Sequence, residues 1–529
     1  MKLIYGVKDK PKFGQLIIFA IQQLLAIMAA TLVVPIIIGH GMSPAAALMG
    51  AGVGTLVYLL FTRFKSPVFL GSSFAFLGSM SAAFAGGVSM ALGYLGLIIG
   101  AALAGLVYVI IAILVKFAGV NWLNKLMPAV VIGPTVAIIG LSLAGNAVGD
   151  LQKTNYNTFF NEQDFQYVSA DDYSVTEDKN GNILEYTFNL EDKDVKSYLA
   201  VEKDVDLTKP VPADKVRTDI TVTEEKQDDG TVVKTLSANY GSVFVALICG
   251  LITLAVTMIC ATYGKKMVRL IPFVLGILSG YAAASLFALI GHLTDNPALV
   301  IINFAPLTGL FENGISLSTF FSMPDFTFLT AFGAFDELSL SYIGTIAVAY
   351  VPVAFVVFAE HVADHKNISS IIETDLLEEP GLHRTLLGDG VGSAVGAFFG
   401  GCPNTTYGES VGCVAITGNA SVITIVVAAL SAILIAFINP FVAFVNSIPS
   451  CVMGGVCMAL YGFIAVSGLK MVQKVDLEQN KNLFVVSVIL IAGIGGLALN
   501  FGSVTITSIA TALILGILAN LLLRKAKDQ

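Results

Sequence analysis

The sequence predicts an all-α polytopic membrane protein of about 14 transmembrane spans, arranged as a 7+7 inverted repeat with a β-rich extracellular insert. Three observations predict it. First, hydrophobic residues make up 56% of the 529 residues, charged residues only 12%, and the mean hydropathy is +0.82. A soluble chain carries about 25% charged residues, so this one has too few to cover a water-facing surface. Second, apolar stretches near the ~20 residues that span a hydrocarbon core recur along the chain. Third, every basic residue outside one polar insert falls on one side of the resulting topology. A soluble enzyme, a disordered scaffold and a nucleic-acid binder are thereby disfavoured. The partner implied at this level is the lipid bilayer.

The spans read near 14–39, 43–62, 66–84, 92–115, 127–148, 241–262, 269–292, 342–363, 384–400, 404–418, 420–440, 449–469, 483–499 and 503–523. The first apolar run is too long for the 7–15-residue core of a cleavable signal peptide, so it reads as a span. An even number of spans puts both termini on one side. Residues 150–240 carry 20 Asp+Glu and 10 Lys+Arg, a net of −10, and the rest of the chain is +2. The 19 bases outside that insert are Lys2, Lys8, Lys10, Lys12, Arg63, Lys65, Lys116, Lys125, Lys265, Lys266, Arg269, Lys366, Arg384, Lys470, Lys474, Lys481, Arg524, Lys525 and Lys527. All lie on the face shared with the termini, which the positive-inside rule makes cytoplasmic. The expectation is a multi-pass protein of the cell membrane, with cytoplasmic termini and an extracellular insert at 149–240.

Within the insert, Asn180-Gly181 separates Tyr173–Glu177 from Ile183–Phe188, and Asp229-Gly230 separates Ile220–Thr223 from Thr231–Leu236. Both dipeptides suit two-residue hairpin turns; a disordered acidic loop is the alternative. The segment 293–341 is Phe-rich, broken by Pro and without a base, the text of helices lying at a membrane interface. Six cysteines lie in apolar or Gly-rich stretches, none in the insert and none in a CxxC pair, so they read as small buried hydrophobes.

Two spans are broken. Span 3 begins Pro67-Val68-Phe69-Leu70-Gly71-Ser72-Ser73-Phe74, and span 10 begins Pro403-Asn404-Thr405-Thr406-Tyr407-Gly408-Glu409-Ser410. Irregular backbone at membrane depth is tolerated where it lines a protein-enclosed cavity. Paired broken helices in the two halves of a chain mark a transporter's binding site, with half-helix N-termini aimed at the ligand. Spans 3 and 10 are seven apart, one in each half of a 7+7 repeat, and an odd number of spans per half makes the halves inverted.

Intramembrane acids are the second sign. Glu360, Asp364 and Glu409 stand in apolar spans, where a charge costs at least ~2.5–3.5 kcal/mol on insertion scales. Glu360 and Asp364, at i and i+4, share a helical face. Asp389 reads instead as a solvated helix end or local cap. His361, Asp364 and His365 have the spacing of a metal set, the basis of an alternative reading as a metal-dependent membrane enzyme. Interfacial histidines are the plainer reading. No GxxxxGK[ST], HExxH or GxSxG pattern supports ATP-driven or hydrolytic chemistry, and neither cofactor nor metal is expected. An anion transporter on a similar 7+7 fold is disfavoured, because carboxylates would repel its cargo.

These residues resemble a known family. Gln22-Gln23-Leu24-Leu25-Ala26 with Ala29-Ala30-Thr31-Leu32-Val33-Val34-Pro35, Gly71-Ser72-Ser73-Phe74-Ala75-Phe76, Ala359-Glu360-His361, Pro380-Gly381-Leu382-His383-Arg384 and Pro403-Asn404-Thr405-Thr406-Tyr407-Gly408-Glu409 are similar to motifs of the nucleobase–ascorbate transporters, most closely the uracil:proton symport branch. The resemblance covers nearly all spans but not the insert. It implies a core domain of spans 1–4 and 8–11 (1–125 and 342–442) and a gate domain of spans 5–7 and 12–14 (126–148, 241–341 with its interfacial segment, and 443–529). Spans 3 and 10 would open with short strands paired at the midplane, and the protein would be a homodimer.

The resemblance also places Glu360 and Glu409 where carboxylates hold the nucleobase, and Phe74 and Gly408 where backbone amides meet its carbonyls. Ala30 would line the pocket from span 1, with Ser73 and Tyr407 beside it. Uracil's edge alternates N–H and C=O; a carboxylate accepts from the first and a half-helix amide donates to the second. Glu360, Glu409 and Asp364 are the candidates for carrying the coupled proton. Two departures stand out. Ser410 replaces the usual Asn, which would weaken or hydrate a bond orienting Glu409, and Asp364 stands where some members have His. Xanthine and urate branches resemble this motif with Gln in place of the acid, so Glu409 favours uracil over a purine.

Overall fold

The computed structural model describes residues 3–119, 128–154, 165–169, 173–177, 183–188, 198–203, 205–217, 220–226, 232–238, 241–312, 314–501 and 504–524. Helices occupy the segments marked by apolar runs. The first half begins with α1 (Phe13–Ile38) and α2 (Pro44–Phe61). A strand β1 (Leu70–Ser72) then leads through a tight turn at Phe74–Phe76 into α3 (Leu77–Ala83), and α4 (Met90–Ala118) follows. Next come α5 (Ala129–Ser142), α6 (Ala144–Gln152), α7 (Val243–Tyr263) and α8 (Pro272–Leu293). The second half repeats the pattern. It runs through α9 (Leu340–Ile372), α10 (Leu382–Gly400), β2 (Asn404–Thr406) and α11 (Gly408–Thr417). It ends with α12 (Val422–Ile435), α13 (Ser450–Val472), α14 (Asn480–Ile494) and α15 (Ser508–Leu523). Among the described residues, eight helical stretches are long and apolar enough to cross a membrane. Helix starts are set by hydroxyls: Ser43, Ser89, Ser339 and Thr507 each accept a first-turn amide, satisfying one of the donors a helix leaves open.

The helices pack in two groups. In one, α10 lies against α2 and α4, α12 against α1 and α2, and α9 against α4. In the other, α13 lies against α5, α6 and α7, α8 against α7, and α14 against α5 and α15. Small residues set the approach of α2 to α10. A Cβ on Gly54 would sit 2.6 Å from the Gly392 carbonyl oxygen, and one on Gly392 2.7 Å from that of Gly54. The two backbones touch, as small residues permit where apolar burial alone does not drive helices together.

The broken spans meet as expected. β1 and β2 pair antiparallel with Leu70 opposite Thr406, Gly71 opposite Thr405 and Ser72 opposite Asn404. The pairing is extended at both ends, by Ser73 N–H to Pro403 O at 2.9 Å and by Tyr407 N–H to Phe69 O at 3.2 Å. All six strand residues are buried, so each broken span satisfies the other's backbone where water does not. The Tyr407 ring occupies the space a Cβ on Gly71 would need, with Thr31 Oγ1 2.9 Å from that position.

Span 8 is longer than the hydropathy text indicates: the helix runs to Ile372 rather than ending near 363. Its last turns read as polar, yet His361, Asp364, His365 and Ile368 are buried. The extension is possible because neighbouring elements, rather than water, satisfy those side chains.

A strap at the N-terminus closes one end of this group. Ile4 N–H donates to Gly418 O at 2.7 Å, Ala420 N–H to Tyr5 O at 2.9 Å and Val422 N–H to Val7 O at 3.1 Å. Ser421 Oγ donates to Asp9 O at 2.6 Å. Gly418 ends α11 with φ +66°, a conformation glycine adopts without penalty.

The described part of the insert is β-structure. Tyr173–Glu177 pairs with Ile183–Phe188, and Ile220–Lys226 with Val232–Ala238; the turns Asn180-Gly181 and Asp229-Gly230 lie outside the described residues, as do Lys2, Lys125, Lys525 and Lys527. A small core of Val168, Tyr186, Phe188, Val201, Val211 and Val216 holds the strands. In 293–341 the helices are short (Ala305–Thr308, Leu317–Phe320, Thr327–Ala331) and apolar side chains such as Ile315, Leu317 and Met323 are over 70% exposed.

Candidate functional site

The strand pair aims two half-helices at one place. The turn at Phe74 and the first turn of α11 at Gly408 both start where a strand ends, so their leading amides have no intrahelical partner. They border a cavity of about 640 Å³ whose polar wall is Ser73, Glu360, Asp364, Thr405, Gly408 and Glu409. Its far wall, from α13, presents Phe463, Ile464 and Ser467, and one end reaches Lys470 and Lys474. Glu360 is exposed only in the sense that it faces this cavity. A larger cavity of about 860 Å³ lies nearby, between Lys116 and Met471. It lacks the converging carboxylates and half-helix ends, so chemistry and not size identifies the site.

The expected residues fall into three sets. Phe74, Ser73, Gly408, Glu360, Glu409 and Asp364 reach the cavity wall together. Tyr407 reaches it too, but its hydroxyl donates to Ser72 O at 2.7 Å and serves the strand pair. Ala30 is 2% exposed and packs behind the wall with Leu70 and Tyr407.

Ser410 is fully buried and its hydroxyl is engaged. Oγ accepts from Phe69 N–H at 3.0 Å and from the Gln23 side-chain amide. The shorter residue therefore clasps spans 1, 3 and 10 together beside Glu409. Asp364 is oriented by Thr406, whose hydroxyl donates to Oδ2 at 2.9 Å.

Two sequence expectations are corrected. The histidines are not interfacial: His361 and His365 are both 0% exposed. Asp389 is not a solvated helix end; it too is 0% exposed, with Oδ2 2.6 Å from His361 Nδ1. The reason is the length of α9, which carries both histidines into the packed interior, where Asp389 of α10 meets His361. The metal reading fails on the same contacts. His361 Nε2 meets Thr385 Oγ1 at 3.0 Å; His365 Nδ1–H donates to His361 O at 2.8 Å and its Nε2 meets the Tyr58 hydroxyl at 2.7 Å. Every imidazole nitrogen has a protein partner, and among the described residues no group of His, Cys, Asp and Glu is arranged to hold a metal.

Sequence reasoning missed Thr406, Gln23, Tyr58 and Thr385 as partners of these groups. The signal for Thr406 was its place in the polar run after Pro403; the others stand in apolar text and only packing reveals them.

Fold and site together define a membrane transporter: half-helices crossing at paired strands, with acids facing a shared cavity. A sequence model of a permease family matches residues 14–174 and 230–501, leaving out most of the insert. The chain belongs to that family, the nucleobase–ascorbate transporters its motifs resemble. It is 34% identical to the uracil permease of Bacillus subtilis (strain 168), over 100% of this chain and 97% of the relative. It is 33% identical to the uracil permease of Bacillus caldolyticus, over 99% and 95%, and 29% identical to that of Escherichia coli (strain K12), over 97% and 92%. Among solved structures, the transmembrane domain of a cyanobacterium bicarbonate transporter, BicA, matches with TM-score 0.54 at 14% identity, covering 98% of this chain and 99% of that one. The murine Solute Carrier 26 family member A9 anion transporter, in the inward-facing state, matches with TM-score 0.55 at 11% identity, covering 98% and 69%. These last two likenesses concern the fold alone.

Proposed function

We propose that this protein imports uracil together with a proton, by alternating access of a core domain (spans 1–4 and 8–11) against a gate domain (spans 5–7 and 12–14). One observation carries the reading: Glu360 and Glu409 share a cavity with the leading residues of two half-helices, Phe74 and Gly408, whose first amides have no intrahelical partner. Uracil offers N–H donors and C=O acceptors along one edge. The carboxylates accept from the former and the amides donate to the latter. The strand pair fixes both donors relative to α9, so the pocket is preorganised.

A carboxyl that gains a proton changes from acceptor to donor. Glu360, Glu409 and Asp364 lie on one wall, and a proton on any of them alters what the site offers the nucleobase. That supports coupling at this wall. The acid at 409, where purine branches have Gln, supports a pyrimidine. The cavity end at Lys470 and Lys474 lies on the face carrying the chain's bases, so we read the cavity as open to the cytoplasm, with cytoplasmic termini, an extracellular insert, 14 spans and a homodimer.

Uptake of labelled uracil into proteoliposomes tests the whole reading. An imposed proton gradient, acid outside, should drive accumulation, and a protonophore should abolish it. Accumulation indifferent to the protonophore would sink the coupling; no uracil uptake under any gradient would sink the substrate. A well-folded deletion of 155–236 should keep uptake, since no described residue of the insert lines the cavity.

A further inference from the structure

Behind the strand pair lies a much smaller cavity, of about 10 Å³, with Phe76, Gly105, Tyr108, Gly390, Ser393 and Asn404 in its wall. Thr405 borders both this cavity and the larger one holding Glu360 and Glu409, so β2 is the partition between them. The volume is at the threshold for one water molecule, about 10–15 Å³.

Two buried polar atoms in this region have no hydrogen-bond partner among the described residues: the hydroxyl of Tyr108 and Oδ1 of Asp389. Tyr108 is 4% and Asp389 0% exposed. Both flank His361. The Tyr108 ring stands edge-on to the imidazole at 6.3 Å, and Asp389 Oδ2 is 2.6 Å from His361 Nδ1. Asp389 precedes Gly390 of the cavity wall and is near enough to Tyr108 to act on its hydroxyl electrostatically. A third group is at hand. Ser393 Oγ accepts from Asn404 N–H at 3.0 Å, and this leaves its own proton free to donate.

We propose that this cavity is the site of one structural water molecule that bridges Tyr108 and Asp389. It donates to Asp389 Oδ1, accepts from the Tyr108 hydroxyl and is positioned to accept from or donate to Ser393. Buried polar groups left unbonded cost stability, and a buried water is held by two to four polar partners. The chemistry here is complementary: a carboxylate oxygen only accepts, the tyrosine hydroxyl donates, and water does both. The bridge completes the bonding of Asp389, whose other oxygen fixes His361, the neighbour of Glu360 on α9. Asp389, Tyr108 and the water are thus positioning groups that tie α4, α9 and α10 together behind the site. The inference stands on packing and does not depend on the substrate.

The sign of one substitution tests it. In Tyr108→Phe the ring is kept and only the hydroxyl is lost. With a bridging water, Asp389 loses its link and the melting temperature of the purified protein falls. If the hydroxyl is simply unbonded, its removal relieves a buried polar group, and the melting temperature is unchanged or rises; that overturns the proposal. The wild-type melting temperature should be equal in sodium and choline chloride; a sodium-specific rise that Tyr108→Phe abolishes would replace water by a cation and overturn it too. Should Tyr108→Phe fail to fold, a structure of the wild-type protein resolving ordered waters decides. A water within hydrogen-bond distance of both Tyr108 Oη and Asp389 Oδ1 confirms the site; a direct Tyr108–Asp389 bond refutes it.

Discussion

Replacing Ser410 with alanine removes one oxygen from the most constrained part of the site. That oxygen accepts from Phe69 N–H at 3.0 Å and from the Gln23 amide, at a residue with no solvent exposure. In Ser410→Ala the Gln23 amide keeps a long contact to Ser410 O at 3.4 Å. The Phe69 amide keeps nothing and has no water to turn to. Leaving a buried donor unmade costs about 1–3 kcal/mol. A central value of ~2 kcal/mol is roughly a 30-fold change in an equilibrium constant. Phe69 also accepts from Tyr407 N–H, so the loss loosens the strand pair next to Glu409 and shows in uracil affinity as well as in stability. Equilibrium unfolding in mixed micelles, with uracil binding measured on the same preparations, reads both. Gln23→Leu is the comparison: it leaves the Phe69 bond in place and should cost less. A Ser410→Ala protein within about 0.5 kcal/mol of wild type, the range of neutral surface changes, would refute the clasp.

Two further outcomes follow from the face that carries the bases. Lys65 pairs with Glu379 and holds its carboxyl below the ordinary value of 4.5, first by hydrogen bond and then by charge. A depressed carboxyl stabilises the fold above its ordinary value and loses that contribution as pH falls through the lowered one; Lys65→Met should therefore flatten the acid limb of melting temperature against pH, and an unchanged limb would show the pair idle. Deleting residues 1–9 strips the partners from Gly418 O, Ala420 N–H and Val422 N–H at the end of the half-helix that carries Glu409, so uracil should bind more weakly although no residue of the cavity wall is touched; unaltered affinity would make the strap dispensable.

Much of this arrangement was legible in the text of the chain. The broken spans announced themselves through the Pro, Gly and hydroxyl residues of 67–73 and 403–406; that their strands pair was implied by the family resemblance, and the structure supplies the register, Leu70 opposite Thr406. Glu360 and Glu409 stood out because a carboxylate in an apolar run needs a purpose. What stayed hidden depends on packing between elements distant in sequence. His361 and Asp389 are 28 positions apart, and nothing local tells that they meet at 2.6 Å. The end of span 8 misled for a related reason. Hydropathy treats His and Asp as water-seeking, whereas here Tyr58, Thr406 and Thr385 satisfy them inside the protein. The reading of Ser410 as a weakened Asn likewise considered length and not the facing Gln23.

In the proposed binding mode, Glu409 and Glu360 hold the nucleobase against the amides of Phe74 and Gly408. Equilibrium binding of labelled uracil to purified Glu409→Gln isolates this contact, since the shape is kept and a charge-assisted bond becomes a neutral one. Bonds to charged groups contribute about 1.5–3 kcal/mol, so affinity should fall roughly 10-fold to 150-fold, with an unchanged melting profile in the absence of ligand. Wild-type uracil affinity in Glu409→Gln would show that the Glu409 carboxylate does not hold the nucleobase.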